Sequence, residues 1–426
     1  MKNMVEELRW RDMVHDITPE TENHLLKGMA SVYVGFDPSA NSLHVGNLLP
    51  IMMLVHAQKA GHKPYALVGG ATGMIGDPSG KSEERNLLDV DIINTNLNAQ
   101  KKQLKQFLNF ESGENKAEIV NNYDWFKNMN FLDFIRNVGK HITINYMTSK
   151  QSVKTRLETG MSFTEFTYQL IQGYDFFWLN KNKGVTLQMG GADQWGNITT
   201  GTELIRRMGD GEAFALTCPL MTKADGGKFG KTESGTIWLD RNKTSPYDFY
   251  QFWLNASDKD VVKYIKSFSL KSKETIDSLI ESHEKASHER ILQKSIAEEM
   301  TVRVHSEDDF AMALKASQIL FGKSTNVDLQ SLDEKTFLSV FKGVKQGESD
   351  RSTLDNGIDI VELLTSISGF LPSKGDARRN IKQNAISVNK EKVDENFVAN
   401  STNLINNKYI LVQKGRKNYF VLKFIN

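Results

Sequence analysis

The sequence predicts an α/β protein: an open parallel sheet in the N-terminal half, then a helical stretch, then a small basic α+β module. Three observations predict this. Residues 31–68 run strand–helix–strand within about 40 residues, the spacing of a βαβ unit and hence of a parallel sheet. Strand texture is lost from about residue 246, where Lys, Glu, Ser and Leu dominate. The last residues alternate around a basic turn as a hairpin does. A chain of 426 residues exceeds one compact core, so two or three domains are expected.

In chain order, residues 1–30 have helical texture and read as partly exposed. Ser31-Val32-Tyr33-Val34-Gly35-Phe36 is apolar and β-branched, ends at Asp37-Pro38 and reads as a strand. Leu48 to Gln58 has helical composition, with Gly61 just past its end as a C-cap. Tyr65-Ala66-Leu67-Val68, closed by Gly69-Gly70, is the second strand. Further strands are expected at 141–146, 185–189 and 213–221, with a helix from Glu165 to Leu179 among the elements between them. This body ends near residue 224, and ligands of such sheets sit outside the C-terminal strand ends. A loop and connection follow over 225–245, then helices over 246–325, including Asp258 to Ser269 and Lys273 to Ala311. The polar stretch 326–360 reads as a linker. Residues 361–426 form the basic module, ending in strands at Tyr409–Gln413 and Tyr419–Leu422.

Composition narrows the function classes. Apolar residues are 39%, charged residues 25% and prolines only 8, which excludes a wholly disordered, collagen-like or Pro-rich chain. The single cysteine, Cys218, excludes an internal disulfide and any zinc site needing two thiolates. No run approaches the roughly 18–20 apolar residues of a membrane span, and Glu6 and Glu7 stand where a signal peptide would be apolar. A reducing cytoplasm is the expected compartment. Net charge is +1, but eleven basic and four acidic residues lie from Lys374 onward. A basic module on a mildly acidic body suits local phosphate binding.

Two motifs carry chemistry. His44-Val45-Gly46-Asn47 opens the helix after the first strand. A helix start offers unpaired N–H groups to phosphate, Gly46 allows close approach, and His44 and Asn47 add donors. About 185 residues on, Lys223-Ala224-Asp225-Gly226-Gly227-Lys228-Phe229-Gly230-Lys231-Thr232 is a Gly-rich loop with two lysines three apart, able to close on a triphosphate. A Walker A loop at 76–82 is excluded because position 75 is Ile where glycine is required. His283 and His288 are five apart, on different helix faces, and make no metal pair; no metal ligand is assigned.

Together the two motifs carry a resemblance. Pro38 to Asn47 resembles the HIGH signature of class I aminoacyl-tRNA synthetases, and Lys228 to Thr232 their KMSKS loop. Asn47 stands for the second His, Phe229-Gly230 for Met-Ser, and Ser39 where Thr is frequent. Residues 69–73, 76–80, 190–197 and 231–235 are similar to the bacterial-type tyrosyl-tRNA synthetases. Ser373–Ile381 with Ala385–Asn389 resembles an S4 RNA-binding domain. The resemblance runs from about residue 30 to the C-terminus. It implies a Rossmann-like catalytic domain, a helical anticodon-side domain and an S4 domain. It also implies tyrosine activation by ATP and transfer to tRNA(Tyr), Mg²⁺ arriving with ATP, and a homodimer.

By the same resemblance, His44 and Ser39 would contact the triphosphate and Asn47 the ribose, with Gly35, Asp37, Gly46, Gly191 and Asp193 completing the nucleotide pocket. Lys228, Lys231 and Thr232 would clamp the leaving pyrophosphate, as would Lys81 and Arg85. Tyr33 and Asp175 would bind the substrate phenol; Tyr168, Gln172 and Asp77 its ammonium group; Gln194 further pocket wall. Tyr168, Gln172 and Asp175, spaced four and three apart, share one helix face. A buried polar pair deprived of its partner is costly, so phenylalanine would be rejected. Two other readings compete. A tryptophan-specific sister enzyme should lack the phenol-binding carboxylate. An RNA-binding protein that has lost catalysis should carry damaged motifs, and His44, Gly46, Lys228 and Lys231 are all present.

Overall fold

In the computed structural model, which describes residues 2–79, 87–209, 211–232, 235–321, 326–415 and 418–425, Ser31–Phe36 forms the central strand, β1, of a five-stranded sheet. Its neighbours are β2 (Lys63–Val68), β3 (Glu118–Asn121), β4 (Val185–Gly191) and β5 (Phe214–Cys218), in the order β3-β2-β1-β4-β5. All pairings are parallel, and Tyr33 stands opposite Tyr65 on one side and Gln188 on the other. Chain order reverses between β1 and β4, which opens a crevice beyond their C-terminal ends.

The helix Leu48–Lys59 is apolar on every side and accordingly buried from Leu48 through Ala57 apart from Pro50. Pro50 falls in its first turn, where no intrahelical N–H is lost. Gly61 leaves the helix at φ +100°, a conformation only glycine adopts freely. The long helix Phe163–Lys183 is capped by Ser162, which accepts from Glu165 N, and closed by Gly184 in the left-handed region. Its first turn is pinned by Arg156, whose Nε and Nη2 donate to the two Glu165 oxygens at 2.6 and 2.9 Å, both side chains buried. Such an Arg–carboxylate fork fixes orientation as well as distance.

The structure departs from expectation at several places. Residues 141–146 are not a strand: Thr143 caps the helix Ile144–Thr148 by accepting from Tyr146 N. The strand β3 carried no signal, because only two of its four residues are apolar and it lies at the sheet edge. Residues 326–360 are not a linker, since they hold helices Asn326–Gln330 and Glu334–Val340 and the strand Lys345–Asp350.

The chain divides into two compact units: Met1–Lys243 with Trp253–Val304, and Thr244–Phe252 with His305–Asn426. The first holds the parallel sheet and helices Asp258–Phe268, Lys273–Lys285 and Ile291–Val304. The expected continuous run from Lys273 is broken where Arg290 turns left-handed at φ +55°. In the second unit, Lys345–Asp350 pairs parallel with Asn418–Ile425, which pairs antiparallel with Tyr409–Lys414 in the expected hairpin. Ile386–Val388 and Glu391–Lys392 complete that five-stranded mixed sheet. Its core includes Leu354, Ile360, Leu363, Ile381, Ile410 and Leu422.

Candidate active site

A cavity of about 610 Å³ opens beyond the C-terminal ends of β1 and β4. It has two chemically different ends. At one, Tyr33 and Asp175 are buried, at 1% exposure each. Tyr33 comes from the middle of β1, and Asp175 from the fourth turn of the Phe163–Lys183 helix. The Tyr33 hydroxyl has no hydrogen-bond partner. Both Asp175 oxygens are engaged: Trp125 Nε1 donates to Oδ1 at 2.9 Å and Asn122 Nδ2 to Oδ2 at 3.1 Å. Burial pushes the Asp175 carboxyl up to about 8, against the pull of those two donors. Burial, and then the Asp175 charge, push the Tyr33 phenol well above its ordinary value.

A polar chain runs on from Asp175. Asn122 Nδ2 also reaches Thr72 Oγ1 at 3.0 Å, Thr72 donates to Asp37 Oδ1 at 2.7 Å, and Tyr168 donates to Asp37 Oδ2 at 2.7 Å. Asp37, assigned to the nucleotide from sequence, therefore also holds Tyr168. Gln194 Nε2 donates to Asp77 Oδ2 at 2.7 Å, and Ser79 N donates to Asp77 Oδ1. The Oε1 atoms of Gln172 and Gln188 are buried without a partner, and both residues line the cavity. Thr72 lies in the 69–73 segment but carries no assigned role, and Asn122, Trp125 and Gln188 had no motif to announce them.

The other end is built on His44. Gly46 N donates to His44 Nδ1 at 3.0 Å, and His44 N donates to Asn47 Oδ1 at 3.0 Å, a reciprocal cap on the turn Val45–Asn47. With Nδ1 accepting, the ring proton belongs on Nε2, which is then a donor. A Cβ at Gly46 would lie 2.7 Å from His44 Cε1, so glycine is required. Asn47 in place of a second histidine supplies this cap.

The distant lysine loop docks onto this turn through its backbone. Val45 N donates to Ile237 O at 3.0 Å, Leu239 N to Leu43 O at 2.9 Å, and Ile237 N to Gly230 O at 2.9 Å. Gly230, at φ +78°, faces Val45 so closely that a Cβ would meet Cγ2 at 2.4 Å. Phe229 anchors the loop among Trp253, Tyr264 and Phe268, with ring centroids 5.0–6.0 Å away. The Lys228 and Lys231 side chains are exposed and do not line the cavity. Thr232 pairs by its backbone with Gly235. Lys81 and Arg85 lie outside the described residues. The remaining candidates, Gly35, Ser39, Gly191 and Asp193 among them, all line the cavity. Among the described residues no group of three His, Cys, Asp or Glu could hold a metal ion, and no helix is long and apolar enough to cross a membrane.

A parallel sheet with its crevice at the chain reversal, joined there by a turn and a lysine loop, defines a class I aminoacyl-tRNA synthetase architecture. The family model "tRNA synthetases class I (W and Y)" matches residues 26–322, and "Tyrosine--tRNA ligase SYY-like C-terminal domain" matches 337–422. The chain belongs to this family, in its tyrosine–tRNA ligase branch. The tyrosine–tRNA ligase of Cytophaga hutchinsonii is 59% identical over 426 residues, and that of Flavobacterium johnsoniae 59% over 431, each match covering 100% of both chains. Among solved structures, a C-terminally truncated mitochondrial tyrosyl-tRNA synthetase of Aspergillus nidulans superposes with TM-score 0.67 at 29% identity, covering 75% of this chain and 94% of that one. The activity is that of a ligase joining tyrosine to tRNA.

Proposed function

We propose that L-tyrosine lies with its phenol between Tyr33 and Asp175 and its ammonium group toward Asp77, Tyr168, Gln172 and Gln194. One observation carries this reading: the buried Tyr33 hydroxyl lacks a partner and shares the cavity with buried Asp175. An orphaned buried donor is expensive, and a para-hydroxyl satisfies it. A phenylalanine ring leaves it unpaired.

The tyrosine carboxylate attacks the α-phosphate of ATP. A C–O–P bond forms, the bridging α–β P–O bond breaks, and pyrophosphate leaves with the electron pair. A ribose hydroxyl at the tRNA 3′ end then attacks the adenylate carbonyl, and AMP leaves. The first nucleophile is already an anion, so the task is alignment and stabilisation of phosphate charge. His44 Nε2–H, the Gly46 turn and Ser39 meet the phosphates from one side, and Asn47 meets the ribose. Lys228 and Lys231, exposed on a loop whose backbone is held at Gly230, close on pyrophosphate, and Thr232, Lys81 and Arg85 are assigned to the same group. Gly35, Gly191 and Asp193 border the nucleoside. Mg²⁺ would enter with ATP and would supply charge neutralisation at its phosphates.

The exposed cations Arg378, Arg379 and Lys382 on the helix Lys374–Lys382 suit the phosphates of tRNA(Tyr), and support reading this module as an S4 domain. The enzyme acts in the cytoplasm as a homodimer. Supporting the dimer, Phe131, Leu132, Ile144 and Phe163 are 63–75% exposed, on elements of one unit. Sedimentation of Leu132→Asp is expected to give monomer; an undisturbed dimer discards this face.

Pyrophosphate exchange tests the activity. ATP–pyrophosphate exchange should require tyrosine; equal exchange with phenylalanine would overturn the assignment.

A further inference from the structure

We propose that Trp238 is a positioning residue that sets the His44 imidazole and couples it to the lysine loop; the proposal rests on the reading of the cavity above. His44 and Trp238 stand opposite each other in an isolated antiparallel bridge, between the Val45–Ile237 and Leu239–Leu43 hydrogen bonds. Directly opposed residues project their side chains to the same side. The indole meets the imidazole edge-on, with centroids 6.0 Å apart and planes at 71°. His44 Nδ1 is already tethered by Gly46 N–H. The indole wall, met edge-on, restricts the tilt of the ring about that tether. Together they fix the ring at the wall of the cavity, which both residues line.

The same segment leads back to the lysines. Ile237, next to Trp238, donates to Gly230 O, and Gly230 lies between Phe229 and Lys231. Gly230 also abuts Val45, next to His44. Any displacement of the lysine loop therefore bears on both neighbours of the His44–Trp238 pair. Lys243 Nζ, 4.4 Å from the indole centroid, adds a second hold on the ring. The two phosphate-binding motifs thus respond as one mechanical unit.

The test is single-turnover formation of tyrosyl-adenylate by full-length wild type, W238A, W238F, H44A and W238A/H44A. W238A should lower the rate constant by about tenfold or more, as expected when a reacting group is misplaced by a fraction of an ångström. Tyrosine affinity should stay within about twofold, because the indole stands beside His44, at the phosphate end of the cavity. W238F, which keeps an aromatic edge, should recover most of the rate. In the H44A background, adding W238A should cost less than about twofold, the non-additivity of residues acting through one group. An unchanged rate in W238A, an equal loss of tyrosine affinity, W238F as slow as W238A, or full additivity with H44A each overturns the proposal. A wild type that forms no tyrosyl-adenylate overturns the underlying activity instead, a result distinct from any difference between variants.

Discussion

The two ends of the cavity are made by opposite strategies. At the phenol end the acceptor is fixed before substrate arrives, while the buried Tyr33 hydroxyl waits unpaired: Trp125 and Asn122 grip Asp175, and Thr72 and Asp37 carry the chain on to Tyr168. At the phosphate end the backbone is equally firm, with Gly230 wedged against Val45, but the two lysines are exposed. The difference follows from what each end must recognise. A phenol differs from a benzene ring by one polar atom, so discrimination needs fixed, dry, unsatisfied groups. Phosphates change charge during reaction, so their clamp works best when it follows them and engages most fully in the transition state.

The comparison can be broken most forcefully at Asp175. Asp175→Ala strips the phenol of its acceptor and leaves the Trp125 and Asn122 donors unpaired. Two such losses cost about 3 kcal/mol or more, so tyrosine kcat/KM in pyrophosphate exchange should fall roughly a hundredfold or further. A loss below tenfold would mean that the phenol end is not where tyrosine is read. Lys231→Ala probes the opposite end. Its rate constant for adenylate formation should drop by about a hundredfold with tyrosine affinity unchanged, the signature of an interaction made in the transition state. Equal weakening of tyrosine binding would erase the distinction between the ends.

Arg378→Glu with Arg379→Glu lies outside both ends. Weakened tRNA charging, by about tenfold at physiological salt, should accompany pyrophosphate exchange within about twofold of wild type. The smallest effect is with pH. The Asp175 carboxyl is pushed from its ordinary value of 3.8 up to about 8. The folded protein therefore retains a proton that the unfolded chain has lost, and this group's contribution to stability declines as pH rises from about 4 to about 8. Tyrosine affinity runs the other way, rising a few-fold between about pH 7 and 8 as the acceptor ionises. Isothermal titration of tyrosine at several pH values checks the sign, and a pH-independent affinity would show that Asp175 binds the phenol in its neutral form.

Much was legible in the sequence where pattern is local. The β1 run, the buried Leu48–Lys59 helix and the C-terminal hairpin follow from apolar content and turn residues. The shared face of Tyr168, Gln172 and Asp175 follows from helical spacing, and all three line the cavity. The edge strands Glu118–Asn121 and Lys345–Asp350 were not legible. An edge strand pairs on one side only and can remain polar, so it leaves no apolar run. The 141–146 segment misled for a related reason: its β-branched residues fit a strand, while one Thr143 hydroxyl sufficed to start a helix.

By itself the sequence determined the residue types the chemistry needs and their order along the chain: a histidine and glycine before a helix, a carboxylate and tyrosine for a phenol, two lysines among glycines. Only the tertiary structure decided which partners hold them. Trp125 and Asn122 reach Asp175 across 50 and 53 residues, Tyr168 reaches Asp37 across 131, and the peptide after the lysine loop lies beside His44. Local periodicity encodes burial and turns. A hydrogen bond between distant side chains depends on where the folded backbone brings two atoms, and no stretch of neighbouring residues records that.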